Sequence, residues 1–354
     1  MLHEFYRDKN ILITGHTGFK GSWLALWMLQ MGARVHGISM EPLSTQDHFV
    51  VTDLQKSLDH RICDIRDRQL FTSHIQDIKP QLIFHLAAQP IVLDSYEDPI
   101  TTYETNIMGT TNLLEAARSV DSVQGIVVIT TDKCYENREW EHAYCESDAL
   151  GGFDPYSSSK AAAEIVAQAY YRSFFKDANV ALATARAGNV IGGGDWQQHR
   201  LIPDLMRAAQ SGETMHIRNP ASVRPWQHVL EPLAGYLELG KAMLENGAKY
   251  SGAWNFGPSV NSSVPVKEVM NLASQQFPRL PVTFGTAEEG RHEAQLLMLD
   301  SSKASQLLGW ETVLTLEQTI GMTVEWYQGY LDQGEMRSIS QQQISNYEDL
   351  RSNV

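Results

Sequence analysis

The chain has 354 residues, 43% of them hydrophobic and 20% charged, the proportions of a soluble globular protein with enough apolar mass for one large or two unequal domains. Its 28 basic residues against 42 acidic ones leave a net charge of −14. That balance excludes a general nucleic-acid or anionic-membrane binder, since both need basic surface, and means an anionic ligand must be met by a few local arginines and lysines. The three cysteines, Cys63, Cys134 and Cys145, form an odd set without metal-type spacing and read as packing residues in a reducing cytoplasm. The first residues lack an apolar signal region, and no stretch approaches the roughly 18 apolar residues of a membrane span, so a cytoplasmic protein is expected.

Along the chain, short apolar runs alternate with helical patterns. Asn10–Thr14 predicts a strand; Trp23, Leu24, Trp27, Met28 and Met31 follow at helical spacing, and Ala33–Ile38 predicts a second strand. Further strands are predicted at 60–64, 81–86, 125–130 and 180–186, with helical stretches around 67–78, 101–120 and 157–175 between them. Strands separated by helices predict an α/β fold, a doubly wound parallel sheet of Rossmann type covered on both faces. After Arg186 the regularity fades. Gly188–Asp195 reads as a loop, Pro203 starts a helix, and Met215–Ile217 and Pro225–Val229 read as short strands. The expected division is a dinucleotide-type domain over 1–186, joined by segments returning around 225–250, and a smaller mixed domain over most of 187–354. The polar tail, Ser338–Val354, is expected either to fray or to pack on a partner subunit.

Directly after the first strand stands Gly15-His16-Thr17-Gly18-Phe19-Lys20-Gly21. Glycines there allow a tight turn, close approach of a pyrophosphate to backbone and packing of helix on strand, while the helix amino terminus favours an anion; Lys20 adds a positive charge. Asp64-Ile65, ending the third strand, offers a carboxylate to an adenine amino group, and Leu86-Ala87-Ala88, ending the fourth, leaves room for a cofactor. The end of the second strand, Ile38–Glu41, has neither the usual acid for a ribose hydroxyl nor an arginine cluster for a 2′-phosphate, and selects neither NAD nor NADP. Beyond the fifth strand come Thr131-Asp132-Lys133, then Tyr156 and Lys160 four apart on one helix face. A phenol titrates near pH 10, so a neighbouring ammonium is what would make it a usable base. Twelve histidines without a paired-His motif give no metal site.

Together the glycine loop, Asp64, Leu86-Ala87-Ala88, Thr131-Asp132 and Tyr156-x-x-x-Lys160 resemble the extended short-chain dehydrogenase/reductase family over essentially the whole chain. Within it, Gly15–Trp23, Thr131–Asn137, Gly192–Trp196, Arg200–Asp204 and Arg224–Val229 resemble the CDP-glucose 4,6-dehydratase group. The resemblance implies NAD, CDP-glucose as the small-molecule partner, a homo-oligomer (dimer or tetramer) and a place in making deoxysugars for surface polysaccharide such as O-antigen. It implies that Tyr156 takes the proton of the carbon 4 hydroxyl, Thr131 holds that hydroxyl, Lys160 holds the nicotinamide ribose and Asp132 protonates the leaving hydroxyl at carbon 6. Lys133 stands where other nucleotide-sugar dehydratases carry glutamate; it is either the base for carbon 5 or an electrostatic partner of the developing enolate. Asn189, Arg200, Arg218 and Arg224 are the expected substrate contacts, and His292-Glu293 and Asp300–Lys303 also resemble family segments. Pro90–Tyr96 departs from the family in lacking a basic residue. An epimerase of the same fold would need Thr131, Tyr156 and Lys160 but neither Asp132 nor Lys133, and a non-enzymatic NAD-binding regulator would leave the whole set idle.

Overall fold

The protein is described by a computed structural model over residues 2–217, 219–258, 263–277, 282–285 and 296–353. Its strands in chain order are β1 (Asn10–Thr14), β2 (Arg34–Ser39), β3 (Asp59–Ile62), β4 (Leu82–His85), β5 (Gly125–Ile129), β6 (Ala181–Ala187), β7 (Asn189–Ile191), β8 (Met215–Ile217), β9 (Val223–His228), β10 (Gly252–Phe256), β11 (Ser263–Pro265) and β12 (Val282–Phe284). Seven of them make a parallel sheet in the order β10-β6-β5-β4-β1-β2-β3. Every residue of β4, β5 and β6 is buried. Burial along the whole strand is what a sheet covered on both faces demands.

Successive side chains point to opposite faces, so the sheet feeds two cores. Ile11, Ile13, Leu82, Phe84, Val127 and Ile129 pack with Trp23, Leu24 and Trp27 of helix Phe19–Gln30 and with Leu230, Leu233 and Leu237 of helix Leu230–Asn246. Leu12, Ile83, Ile126 and Val128 pack on the other face with Phe71 and Ile75 of helix Arg68–Ile78, Leu113 and Leu114 of helix Thr110–Ala117, and Ala167 of helix Pro155–Tyr170. The strand order reverses beside β1, whose neighbours are β2 and β4. A crevice therefore opens beyond the carboxyl ends of β1 and β4, where such sheets hold their ligands.

Two expectations are corrected. Gly188–Asp195 is not all loop: Asn189–Ile191 is β7, pairing in parallel with Trp226–His228 of β9. A three-residue strand whose partner lies far along the chain leaves no local period to read. The tail neither frays nor waits for a partner subunit. Met336–Ser352 is a helix whose narrow stripe of Met336, Ser340, Gln343, Ile344 and Tyr347 is buried on its own chain. It docks through Trp27 Nε1 to Glu348 (2.7 Å), Gln30 Nε2 to Ser345 (2.9 Å) and Tyr347 OH to the buried Glu231 (2.7 Å). So few apolar positions in a polar helix conceal a docking face that long-range hydrogen bonds complete.

Candidate active site

The glycine loop packs backbone on backbone. Gly15 has φ 75°, and a Cβ there would lie 2.6 Å from Ala87 N; a Cβ on Gly21 would lie 2.1 Å from Gly15 O. Both positions therefore require glycine. Gly18 caps helix Phe19–Gln30 without a side-chain hydrogen bond, which leaves first-turn amides for an anion. Thr17 Oγ1 shares a hydrogen bond with Ser39 Oγ (2.7 Å) and donates to Met40 O (2.9 Å). Lys20, in the same turn, lies in the field of Arg200, Asp132, Lys160 and Asp195, and burial with the Arg200 charge brings its ammonium down to about 8. It thus faces the β5 end of the crevice as well as the loop.

At the far end of the crevice, Arg66 Nε and Nη2 donate to Asp64 Oδ2 (2.9 and 2.6 Å) and hold that carboxyl below the usual range. An adenine amino group would share the carboxylate with Arg66. Ile65 O accepts from Asn112 Nδ2 (3.0 Å), and Ala87 N donates to Thr14 Oγ1 (3.3 Å). Ala87 and Ala88 are half-buried beyond β4. An uncapped helix start, a glycine cradle and small residues across the crevice fit a dinucleotide.

β5 delivers the reactive segment. Past Thr130 the chain makes a tight turn over Asp132–Cys134, capped by Thr131, whose Oγ1 accepts from Lys133 N (3.3 Å) and donates to the buried Asp132 Oδ1 (3.0 Å). Lys133 is half-buried beside it. A Cβ on Gly188 would stand 2.8 Å from Asp132 Oδ2, so this glycine keeps the carboxyl approachable. Helix Pro155–Tyr170 starts on Asp154, which accepts from Ser157 N (2.8 Å), and projects Tyr156 and Lys160 to the same place. The Tyr156 phenol lies beside Thr131; burial pushes it up to about 12, against the effects of Thr131 and the Arg200 charge. The Lys160 ammonium donates to Ile129 O (3.1 Å) and is lowered by burial to about 8, with Glu164 opposing.

The structure thus brings Thr131, Asp132, Tyr156, Lys160, Lys20 and Arg200 together. Arg200 Nη1 is anchored on Asp195 Oδ2 (2.7 Å), a partner the sequence did not flag although it stands only five residues away. Asn189 lies half-buried in β7, and Arg224 is buried in β9, with Nη1 on Val223 O (2.9 Å). Arg218, His292 and Glu293 lie outside the described residues. Sequence reasoning also missed Glu164 and Arg186, a buried ion pair behind the reactive segment. The one signal available was an acid spaced four from Lys160 on an otherwise small, apolar helix face.

The chain is 44% identical over 349 residues to the CDP-glucose 4,6-dehydratase of Salmonella typhimurium, covering 97% of each chain. Its fold matches MoeE5 in complex with UDP-glucose and NAD, at 25% identity and TM-score 0.75, covering 91% of this chain and 99% of that one. It also matches the dTDP-glucose 4,6-dehydratase of Bacillus anthracis in complex with NAD, at 24% identity and TM-score 0.74, over 93% and 99%. Residues 12–323 match the family described as GDP-mannose 4,6 dehydratase, and the chain belongs to that family.

Proposed function

We propose that the protein is a CDP-glucose 4,6-dehydratase that forms CDP-4-dehydro-6-deoxy-D-glucose and water. The observation that carries this reading is the gathering of Tyr156, Thr131 and Asp132 at the end of β5: the Thr131 hydroxyl donates to a buried carboxyl and lies beside a phenol, which puts a proton acceptor and a proton donor around one small volume. An epimerase would have no use for that carboxyl. The 44% identity over nearly the full chain supports CDP-glucose as the sugar nucleotide.

Gly15, Thr17, Gly18, Phe19, Lys20 and Gly21 would hold the cofactor pyrophosphate, Asp64 and Ile65 the adenine end, and Ala87, Ala88, Tyr156 and Lys160 the nicotinamide half. NAD, when bound, supplies the oxidant for carbon 4 and returns the same electron pair at carbon 6, so the sugar is dehydrated without net redox change. Thr131 holds the carbon 4 hydroxyl and Tyr156 removes its proton. The ketone acidifies the hydrogen at carbon 5, whose proton Lys133 takes from the same turn and gives back to carbon 5 once carbon 6 has been reduced. Asp132 gives a proton to the carbon 6 hydroxyl, which leaves as water. Asn189, Arg200, Arg218 and Arg224 meet the diphosphate and nucleoside in an otherwise acidic protein.

We place the enzyme in the cytoplasm as a homo-oligomer, supplying deoxysugar for surface polysaccharide. The free cysteines, and the fact that no helix among the described residues is long and apolar enough to cross a membrane, support the first. Ile100, Met108, Ile165 and Phe174, all exposed on helical segments outside the sheet, support the second. The test is incubation with CDP-glucose, dTDP-glucose, UDP-glucose and GDP-mannose, reading water loss by mass spectrometry and the 4-ketone by a carbonyl trap. Product from CDP-glucose alone is expected; no water loss from any of them overturns the reading, and an inverted sugar without water loss makes the protein an epimerase.

A further inference from the structure

We propose that Glu164 is a positioning residue for this reaction, its buried carboxylate locking the helix that carries Tyr156 and Lys160 to the turn that carries Thr131, Asp132 and Lys133. The inference rests on the reading above of those five residues as the reacting set. Glu164 follows Lys160 by four residues, one turn along the same helix face, and is 4% exposed. Its two oxygens meet four donors: Oε1 accepts from Thr130 Oγ1 (2.5 Å) and Arg186 Nε (2.9 Å), and Oε2 from Thr184 Oγ1 (2.6 Å) and Arg186 Nη2 (2.8 Å). Arg186 continues through Nη1 to Tyr135 OH (2.7 Å), which donates to Asn255 Oδ1 (2.8 Å), and its guanidinium lies 4.7 Å from the Tyr135 ring centre.

Thr130 and Tyr135 flank Thr131–Cys134, one on each side. A single carboxylate therefore pins both ends of the reactive turn, one directly and one through Arg186, and holds them against the helix that supplies the phenol. Apolar side chains of similar volume often stabilise as well as a buried ion pair or better, so stability alone does not account for this one. Its value here lies in fixing geometry and charge.

The charge falls on Lys160. The groups facing that ammonium are Glu164 and Tyr156 on its own helix, Cys134 from the turn after β5, His85 from β4 and Lys20 from the glycine-loop helix. Burial pushes the Cys134 thiol and the Tyr156 phenol up and His85 down to about 3, so all three are neutral near pH 7. Lys20 is a cation. Glu164 is the anion among them, and the one that opposes the loss of the Lys160 proton most strongly. Without its charge the ammonium gives up its proton at lower pH.

The test compares wild type, Glu164→Gln and the double variant Glu164→Gln/Arg186→Met, which leaves no unpaired guanidinium buried. Steady-state rates and the pH dependence of kcat/KM are measured on whichever nucleotide sugar the wild type turns over, with circular dichroism to follow folding. We expect kcat to fall by about 100-fold, as for an active site misplaced by an ångström, with KM little changed. The basic limb of the profile moves to lower pH by about one unit in both variants. If Glu164→Gln fails to fold, the double variant decides. A folded double variant with the wild-type limb overturns the proposal, as does unchanged kcat, because a structural role alone lowers the melting temperature and leaves the limb in place. Turnover of another sugar but not CDP-glucose refutes the substrate assignment and leaves this role to be judged on the sugar that reacts.

Discussion

Gly21→Ala perturbs the dinucleotide loop at its tightest point. A methyl there would sit 2.1 Å from Gly15 O and 2.8 Å from His16 Cα, all backbone atoms with no rotamer to swing aside. Carbon and oxygen at contact stand about 3.3 Å apart, so the loop must open by roughly 1 Å. Overpacking of that kind costs about 1–3 kcal/mol of stability. The same movement displaces the amides at the start of helix Phe19–Gln30, and each charge-assisted hydrogen bond lost to a pyrophosphate costs about 1.5–3 kcal/mol, or roughly 10- to 150-fold in affinity. Calorimetric titration with NAD should show Kd raised by at least about tenfold, with CDP-glucose affinity changed far less and a lowered melting temperature. An unchanged NAD Kd would refute the placement of the cofactor on this loop.

Tyr156→Phe removes the proton acceptor while keeping the ring, and kcat should fall by about 10²–10⁴ with native circular dichroism; a rate near wild type would move the base elsewhere. Asp132→Asn should spare oxidation at carbon 4 and slow water loss by about 10²–10⁴, read by rapid quench and mass spectrometry; equal slowing of both steps would remove Asp132 from the carbon 6 chemistry. Acid should unfold the protein steeply. His16, His48, His85 and His228 are buried and lowered by desolvation from the ordinary 6.5 to about 3. Their folded values lie below the unfolded ones, so between about 6.5 and 3 the unfolded chain binds more protons, and the stability present above 6.5 falls as pH drops. Each contributes up to about 1.4 kcal/mol per pH unit, or about 5.5 for the four, offset at the acid end by Asp47, Glu231 and Glu238, which burial shifts upward. Urea midpoints stepped from pH 7 to 4 test this, and a flat profile would contradict it.

The parts of this molecule legible in the sequence are those set by local pattern. β1 and β5 are continuous apolar runs, the glycine loop falls directly after β1, and Tyr156 and Lys160 share a helix face. What escaped depends on pairs far apart in the chain. Tyr135 finds Asn255 and Tyr347 finds Glu231 across more than a hundred residues, and neither pairing leaves a period to detect. β7 exists only because β9 returns to it. Lys20 is a mixed case: its place in the glycine loop was plain, but its nearness to Asp132 and Arg200 emerges only once β5 and the Arg200 loop close on the same crevice.

The dehydratase chemistry is tested most directly with CDP-glucose carrying deuterium at carbon 4. Loss of one water and recovery of the deuterium at carbon 6 of the 4-keto product are expected, since the electron pair removed at one carbon returns at the other. Deuterium retained at carbon 4 without water loss, or water loss with none of the label at carbon 6, would contradict it.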